Sequence, residues 1–343
     1  MISRKNSFNI LIIGSKEKFT LDYIYFKTFK YLGYDTDFFN IEKSINYRII
    51  AKIKNYFNET NHKLLRKKLI SFFKKRKKKY SLIIFFKSIY LDIKTLDKVR
   101  TINGYGQIIN IFPDDPLDIN NSTISNKTFL KTISEFDLFC IWSENIKKKL
   151  NKRFRTNILY LPFGYDSLKK YNIKKKSSKR VNEILFIGTY EKKRFDILNK
   201  IKFKKNIFGG NWSRFSIKKL KNANISNHIY DKQIANKMNK YAIALNILRA
   251  QNLSSHNMKT FEIPAFNGLM LTTRSKEQNS FFKENKSCFM YASINELNKK
   301  INFIFDNPNK AEAVRKSGIK NVKKHSYINR TKLIIKELNK INR

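Results

Sequence analysis

Cysteine is nearly absent from the chain. Cys140 and Cys288 are the only two in 343 residues, both in apolar surroundings. That excludes a disulfide framework and a thiolate metal cluster, and makes a reducing cytoplasm the expected setting. Histidine is scarce as well. His62, His228, His256 and His325 include no pair at ligand spacing on one helix, so a zinc site is not expected. Long apolar runs are missing: the longest, such as Leu82–Phe86, fall far short of the roughly 20 residues a spanning helix needs. The opening run MISRKNSFNILIIG flows into a glycine turn with no small-residue cleavage site, so a signal peptide is not expected. Neither a Gly-x-Ser-x-Gly nor a P-loop pattern occurs.

Acidic residues are the last shortage. Lys+Arg 72 against Asp+Glu 26 gives a net charge of +46, a balance that points to nucleic acid, an anionic membrane or an acidic substrate. Lysine, asparagine and isoleucine, however, are abundant in strand-like and helix-like stretches alike, as nucleotide bias in a genome produces. Part of the charge therefore reads as compositional drift. The length fits two ordinary domains at roughly 100–200 residues each.

The most specific chemistry lies in residues 241–273, YAIALNILRAQNLSSHNMKTFEIPAFNGLMLTT. Residues 241–248 and 269–272 read as buried strands. Between them, 257–266 is predicted to be a helix with Lys259, Thr260 and Glu262 in its first turns, where Pro264 is tolerated. Such a helix end suits a ligand with a negative part, held by free backbone N–H groups and Lys259, and a sugar hydroxyl, held by Glu262. A nucleotide-diphosphate sugar has both.

This segment, HNMKTFEIPAFNGLMLTTR, resembles the donor-site segment of the CgeB-like (spore-maturation-protein-like) glycosyltransferases, within the group 1 glycosyltransferase superfamily. The resemblance implies an α/β protein of the GT-B fold: two Rossmann-like domains facing across a cleft, with a C-terminal helix crossing back to the first. The boundaries expected are 1–170 for an acceptor domain, 171–325 for a nucleotide-sugar donor domain and 326–343 for the crossover helix. Glu262 matches the glutamate that binds the donor ribose, and His256 and Asn257 fall within the matching motif. The superfamily's second glutamate, about two helical turns upstream, is replaced by Ser254.

The first half opens as a βα unit, with residues 8–13 a buried strand ending at Gly14, followed by helical spacing over 23–32. Gly14 allows close approach to the backbone, and in the GT-B arrangement its loop faces the donor phosphates. Asp35-Thr36-Asp37 has the spacing of a metal-binding motif but falls at a strand start, and reads as structural. Residues 45–79 are lysine-rich with interspersed apolar positions and read mainly as a solvated helix face beside a core stripe. The cluster 72–79, FFKKRKKK, is expected to attract anionic lipid headgroups or an anionic acceptor. Strand 106–112 ends in Pro113-Asp114-Asp115-Pro116, which resembles the family's Asp-Asp-Pro. Either aspartate suits a catalytic base, and an Asx-Pro turn that ends the strand accounts for them equally well. Residues 168–180 read as the interdomain hinge.

The second half starts with strand 182–188, followed by Thr189 and a run of cations at a helix mouth, a ready anion site. The resemblance carries Gly188, Thr189 and Arg194 onto the donor diphosphate and sets Trp212 beside the base. A buried core tryptophan fits Trp212 as well. Arg249 follows strand 241–248, near the donor in this fold.

The expected activity is transfer of a sugar from a nucleotide-diphosphate donor to a saccharide, lipid-linked or protein acceptor. Asp114, Asp115, Arg194 and Lys259 would carry the chemistry. Gly14, Gly188, Thr189, Trp212, Arg249, His256, Asn257, Thr260 and Glu262 would hold the donor, without metal or other cofactor. The group 1 resemblance leans towards retention. The alternatives are a catalytically idle GT-B scaffold that binds saccharide or membrane, and a nucleic-acid-binding protein. The even spread of cations along the chain speaks against the latter. The expected location is cytoplasmic, with peripheral contact on the inner membrane face through 72–79.

Overall fold

The computed structural model describes residues 8–44, 59–121, 124–169, 180–212, 220–230, 232–249 and 252–341. Residues 45–58 of the basic stretch and 170–179 of the expected hinge lie outside the described residues. The chain divides into two compact units: Met1–Pro162 with Tyr327–Arg343, and Phe163–Ser326.

Each unit is built on a six-stranded sheet whose strand pairs are all parallel. In the first, β1 (Asn9–Gly14), β2 (Asp35–Asn40), β3 (Leu82–Phe86), β4 (Gln107–Phe112), β5 (Leu138–Ile141) and β6 (Ile158–Tyr160) run in the order β2-β1-β3-β4-β5-β6. In the second, β7 (Val181–Ile187), β8 (Lys205–Phe208), β9 (Ala223–Ser226), β10 (Tyr241–Asn246), β11 (Met270–Thr273) and β12 (Phe289–Tyr291) run β9-β8-β7-β10-β11-β12. Parallel neighbours need crossover connections, and helices supply them on both faces. The central strands are therefore buried on both sides, which is why β3 can read LIIFF with every residue buried. Each apolar side chain so buried contributes about 1.5–3 kcal/mol.

These orders place a reversal of winding between β1 and β3 in the first unit and between β7 and β10 in the second. Ligands of doubly wound sheets bind outside the carboxyl ends of the strands at such a reversal. Both units are Rossmann-like in this sense.

The last helix, Tyr327–Ile341, belongs to the first unit. The Tyr327 ring packs edge-on against Tyr25 of the Leu21–Tyr31 helix at 5.4 Å between centroids. Arg330 Nε donates to the Pro162 carbonyl at 2.9 Å. Among the described residues no helix is long and apolar enough to cross a membrane.

Two elements differ from the sequence reading. The Lys259–Ala265 helix is only seven residues long, and Pro264 lies near its end instead of in its first turn. With no N–H at Pro264 to continue the ladder, the chain leaves the helix at Asn267, whose φ of 68° is left-handed, and Gly268 N–H closes the end on the Ile263 carbonyl at 2.8 Å. Strand β9 was not foreseen, because its alternating half-buried and exposed residues mark it as a sheet edge.

Candidate functional site

The reversal in the second unit lies between the turn after β7 and the turn after β10. The first turn is Gly188-Thr189-Tyr190-Glu191, leading into the Lys192–Asn199 helix. It is pinned from beneath. Trp212 Nε1 donates to the Gly188 carbonyl at 2.8 Å, and Tyr190 N–H donates to the Gly210 carbonyl at 3.0 Å. A Cβ on Gly209 would stand 2.0 Å from the Gly188 oxygen, so the two turns cross backbone on backbone and only glycine fits.

Arg194 lies under this turn, 8% exposed. Its Nη1 donates to the Thr189 carbonyl at 3.1 Å, and Nη2 reaches the Ile247 carbonyl after β10 at 3.4 Å. The guanidinium carbon stands 5.7 Å from the centre of the Phe186 ring. Nε has no hydrogen bond, and the nearest carboxylate oxygen, on Glu191, is 3.6 Å away. Burial first, then the positive charge of Arg249, holds the Arg194 pKa below its ordinary value, and Glu191 opposes them. Arg249 itself is exposed, three residues past the end of β10. The Arg194 guanidinium thus lies at the crevice within reach of the charge of Arg249 and with the Glu191 carboxylate beside it. That charge imbalance favours an anion with several oxygens, for which arginine's forked donors are well shaped.

Behind the crevice a buried polar network fixes the loop before the Lys259–Ala265 helix. Asn246 and Asn257 exchange carboxamide hydrogen bonds at 2.9 and 3.1 Å. Asn257 Oδ1 accepts Thr260 N–H at 3.1 Å, and Thr260 Oγ1 accepts Asn257 N–H at 3.3 Å, a reciprocal cap. The Thr260 hydroxyl donates to Gln278 Oε1 at 2.7 Å, and Gln278 Nε2 donates to Thr272 Oγ1 at 2.7 Å and the Thr273 carbonyl at 2.6 Å. His256, fully buried, accepts Phe163 N–H on Nε2 at 3.2 Å. Its proton therefore sits on Nδ1, 2.9 Å from Glu277 Oε2, which also accepts the Ser255 hydroxyl at 2.5 Å.

Several residues expected at the donor site lie below the surface in this structure. His256 and Thr260 have no solvent exposure and work beneath the site. Trp212, 3% exposed, is a core residue packed edge-on against Tyr190 and Phe186, and its indole holds the Gly188 carbonyl. The N–H groups of Thr260, Phe261 and Glu262 are already bonded to the carbonyls of Asn257 and Met258. Lys259 and Glu262 are accessible but meet each other, Nζ to Oε2 at 2.6 Å. Gln278, Glu277 and Asn246 were missed by the sequence reading; Asn246, a lone amide in the apolar run 241–248, carried a signal, whereas Glu277 and Gln278 lie in the polar run 274–280 and carried none.

In the first unit the turn after β1 is acidic. Asp22 Oδ2 accepts Ser15 N–H at 2.6 Å, Ser15 Oγ donates to Glu42 at 2.6 Å, and a Cβ on Gly14 would collide with the Asp22 carboxylate. Burial, above all, pushes the Asp22 pKa up to about 6, with Glu42 adding to it. Carboxylates under Gly14 oppose the phosphate contact expected there. Asp114 pairs with Lys87 Nζ at 2.5 Å, and Asp115 Oδ1 accepts Leu117 N–H at 3.0 Å, the Asx turn weighed from sequence.

Asp35 and Asp37 anchor the basic cluster. Lys78 reaches Asp35 at 2.8 Å and Asp37 at 3.1 Å, and Arg76 reaches Asp37 at 2.8 Å while lying 4.7 Å from the Phe72 ring centre. Burial alone would raise the Asp37 pKa, but hydrogen bonds from Tyr80 and Lys78 and the charges of Lys78 and Arg76 bring it below its ordinary value. Lys74, Lys75 and Lys77 remain exposed. Among the described residues no three His, Cys, Asp or Glu side chains are grouped to hold a metal ion.

The model of the glycosyl transferase-like family matches residues 193–336. No curated protein matches the chain. Among solved structures, sucrose-phosphate synthase from Thermosynechococcus elongatus superposes with a TM-score of 0.69 at 9% identity, over 97% of this chain and 99% of that one. A glycosyltransferase from Rickettsia africae gives 0.66 at 14% identity, over 98% and 99%. HepE from Anabaena, solved with UDP-glucose, gives 0.64 at 11% identity, over 97% and 99%. At these identities the likeness shows the fold, which is GT-B with two Rossmann-like domains.

Proposed function

We propose that the chain is a glycosyltransferase that takes a sugar from a nucleotide-diphosphate donor held by the second unit. The observation that carries this reading is the buried Arg194 guanidinium at the winding reversal between β7 and β10, joined to the turn after β10 at Ile247 and subject to the charge of Arg249. The family match over 193–336 and the UDP-glucose bound by HepE support it.

In the reaction, the bond from the anomeric carbon to the diphosphate oxygen breaks and its electron pair stays on the departing diphosphate. A bond forms from the anomeric carbon to the acceptor oxygen, which gives up its proton. Arg194 and Arg249 would receive the developing negative charge, and groups already aimed at such charge need no reorganisation as it appears. They would serve where other transferases use a metal ion. Glu262, released from Lys259, would accept the ribose hydroxyls while Lys259 turns to the diphosphate. We assign acceptor binding to the first unit, with Asp114 receiving the acceptor's proton. Retention of anomeric configuration follows the group 1 resemblance. The lysines at 74, 75 and 77 are our candidates for contact with an anionic membrane.

Titration of UDP- and GDP-sugars against the wild-type chain and Glu262→Ala tests the reading. Binding of a donor by the wild type and its loss in the variant are expected. Salt-sensitive binding to duplex DNA with no donor binding would overturn the proposal.

A further inference from the structure

The two arginines leave the base of the nucleotide without a seat, since Trp212 is in the core. We propose that His228 and Tyr230 form a stacking shelf for that base, an inference that rests on the second unit being a nucleotide-sugar site.

Strands β7, β8 and β9 are parallel neighbours, so the residues following β9 emerge on the same sheet edge as the Gly188 and Gly209 turns. Gly209 N–H donates to the Ser226 carbonyl at 3.2 Å, fixing the end of β9 to the turn after β8. His228 then lies directly against Gly210: a Cβ there would stand 2.4 Å from the imidazole Nε2, so this approach requires glycine. The Gly210 carbonyl accepts the N–H of Tyr190, two residues beyond Gly188. A short series of contacts therefore joins the His228 ring to the turn that covers Arg194.

The two rings lie nearly parallel, 23° apart with centroids separated by 6.1 Å, and Tyr230 is 50% exposed. Among the described residues of these loops, Trp212 packs on Tyr190 at 5.3 Å and on Phe186 at 6.1 Å. Two adjacent, exposed aromatic side chains at the carboxyl end of the sheet match the flat π-face of a heterocycle. Base stacking on such a ring contributes about 1–3 kcal/mol and tolerates any base. The shelf thus gives affinity for the nucleoside while discriminating little between uracil and guanine.

The test is calorimetric titration of UDP, GDP and inorganic pyrophosphate against the full chain and its His228→Ala, Tyr230→Ala and Tyr230→Phe variants. Both alanine variants are expected to bind UDP and GDP about 5- to 150-fold more weakly. Pyrophosphate binding should be unchanged, and Tyr230→Phe should bind like the wild type. Wild-type nucleotide affinity in Tyr230→Ala, or equal loss of nucleotide and pyrophosphate, would overturn the shelf while leaving the arginine site standing. A wild-type chain that binds none of the three ligands would overturn the nucleotide-site reading itself.

Discussion

Arg194 Nη2 reaches the carbonyl of Ile247 at 3.4 Å and so bridges the two turns that flank the winding reversal of the second sheet. The bond is long and its acceptor neutral. The guanidinium keeps most of its capacity for a charged partner, and burial together with Arg249 makes that partner's arrival favourable.

Removing the exposed member of the pair separates binding from folding. Arg249→Gln is expected to weaken UDP binding about 10- to 100-fold, in line with about 1.5–3 kcal/mol for a charged hydrogen bond. Its stability should stay within about 0.5 kcal/mol of the wild type, as for surface substitutions generally. Calorimetric titration beside urea unfolding checks both.

Glu277 answers two groups at once, the His256 Nδ1 proton and the Ser255 hydroxyl. Glu277→Ala leaves both neutral donors facing a cavity where a buried partner stood, and is expected to cost about 1–3 kcal/mol for each donor left unsatisfied. The loop that caps the Lys259–Ala265 helix would loosen with it. Urea unfolding of Glu277→Ala and Glu277→Gln checks this, with the glutamine variant, which keeps an acceptor, less affected.

Asp22 has a raised folded pKa of about 6 against an ordinary 3.8. The folded state then binds more protons than the unfolded chain between these values. Its contribution to stability is fully present below about pH 4 and is lost as pH rises through about 6. Asp22→Asn retains the acceptor for Ser15 N–H and should be more stable than the wild type at pH 7, the difference shrinking as pH falls to 4. Unfolding midpoints from pH 4 to 7 measure it.

Lys205 behaves in the opposite sense. It has no solvent exposure, its ammonium donates to the Lys221 carbonyl at 2.6 Å, and burial lowers its pKa to about 8 from 10.5. The unfolded chain binds the extra proton between these values, so stability rises with pH from about 8 to 10.5. Lys205→Met should remove this slope and stabilise the fold at pH 7. Parallel denaturation series of the two chains at pH 7 to 10 give the comparison.

Much of this architecture was legible in the residues. Runs such as LIIFF and ILFIG, each stopping at a turn, announce parallel strands, and alternation with helical spacing announces the two doubly wound halves. Arg194 came from the family resemblance, and Arg249 from its place after a buried strand. What could not be read is which polar groups point inward. Thr260 and His256 look like ligand contacts on a helix or loop, yet Gln278, Glu277 and the backbone of Phe163, distant in sequence, take up their hydrogen-bonding capacity. Trp212 was equally undecided until the Gly188 carbonyl claimed its indole N–H. Gly14 suggested a phosphate turn, and only the fold brings Asp22 and Glu42 beneath it.

A crystal structure of the chain with UDP tests the central claim most directly. The diphosphate is predicted to lie at the carboxyl ends of β7 and β10, with its oxygens within hydrogen-bonding distance of the Arg194 and Arg249 guanidinium groups. Density for the nucleotide elsewhere, with those two side chains unengaged, would contradict it.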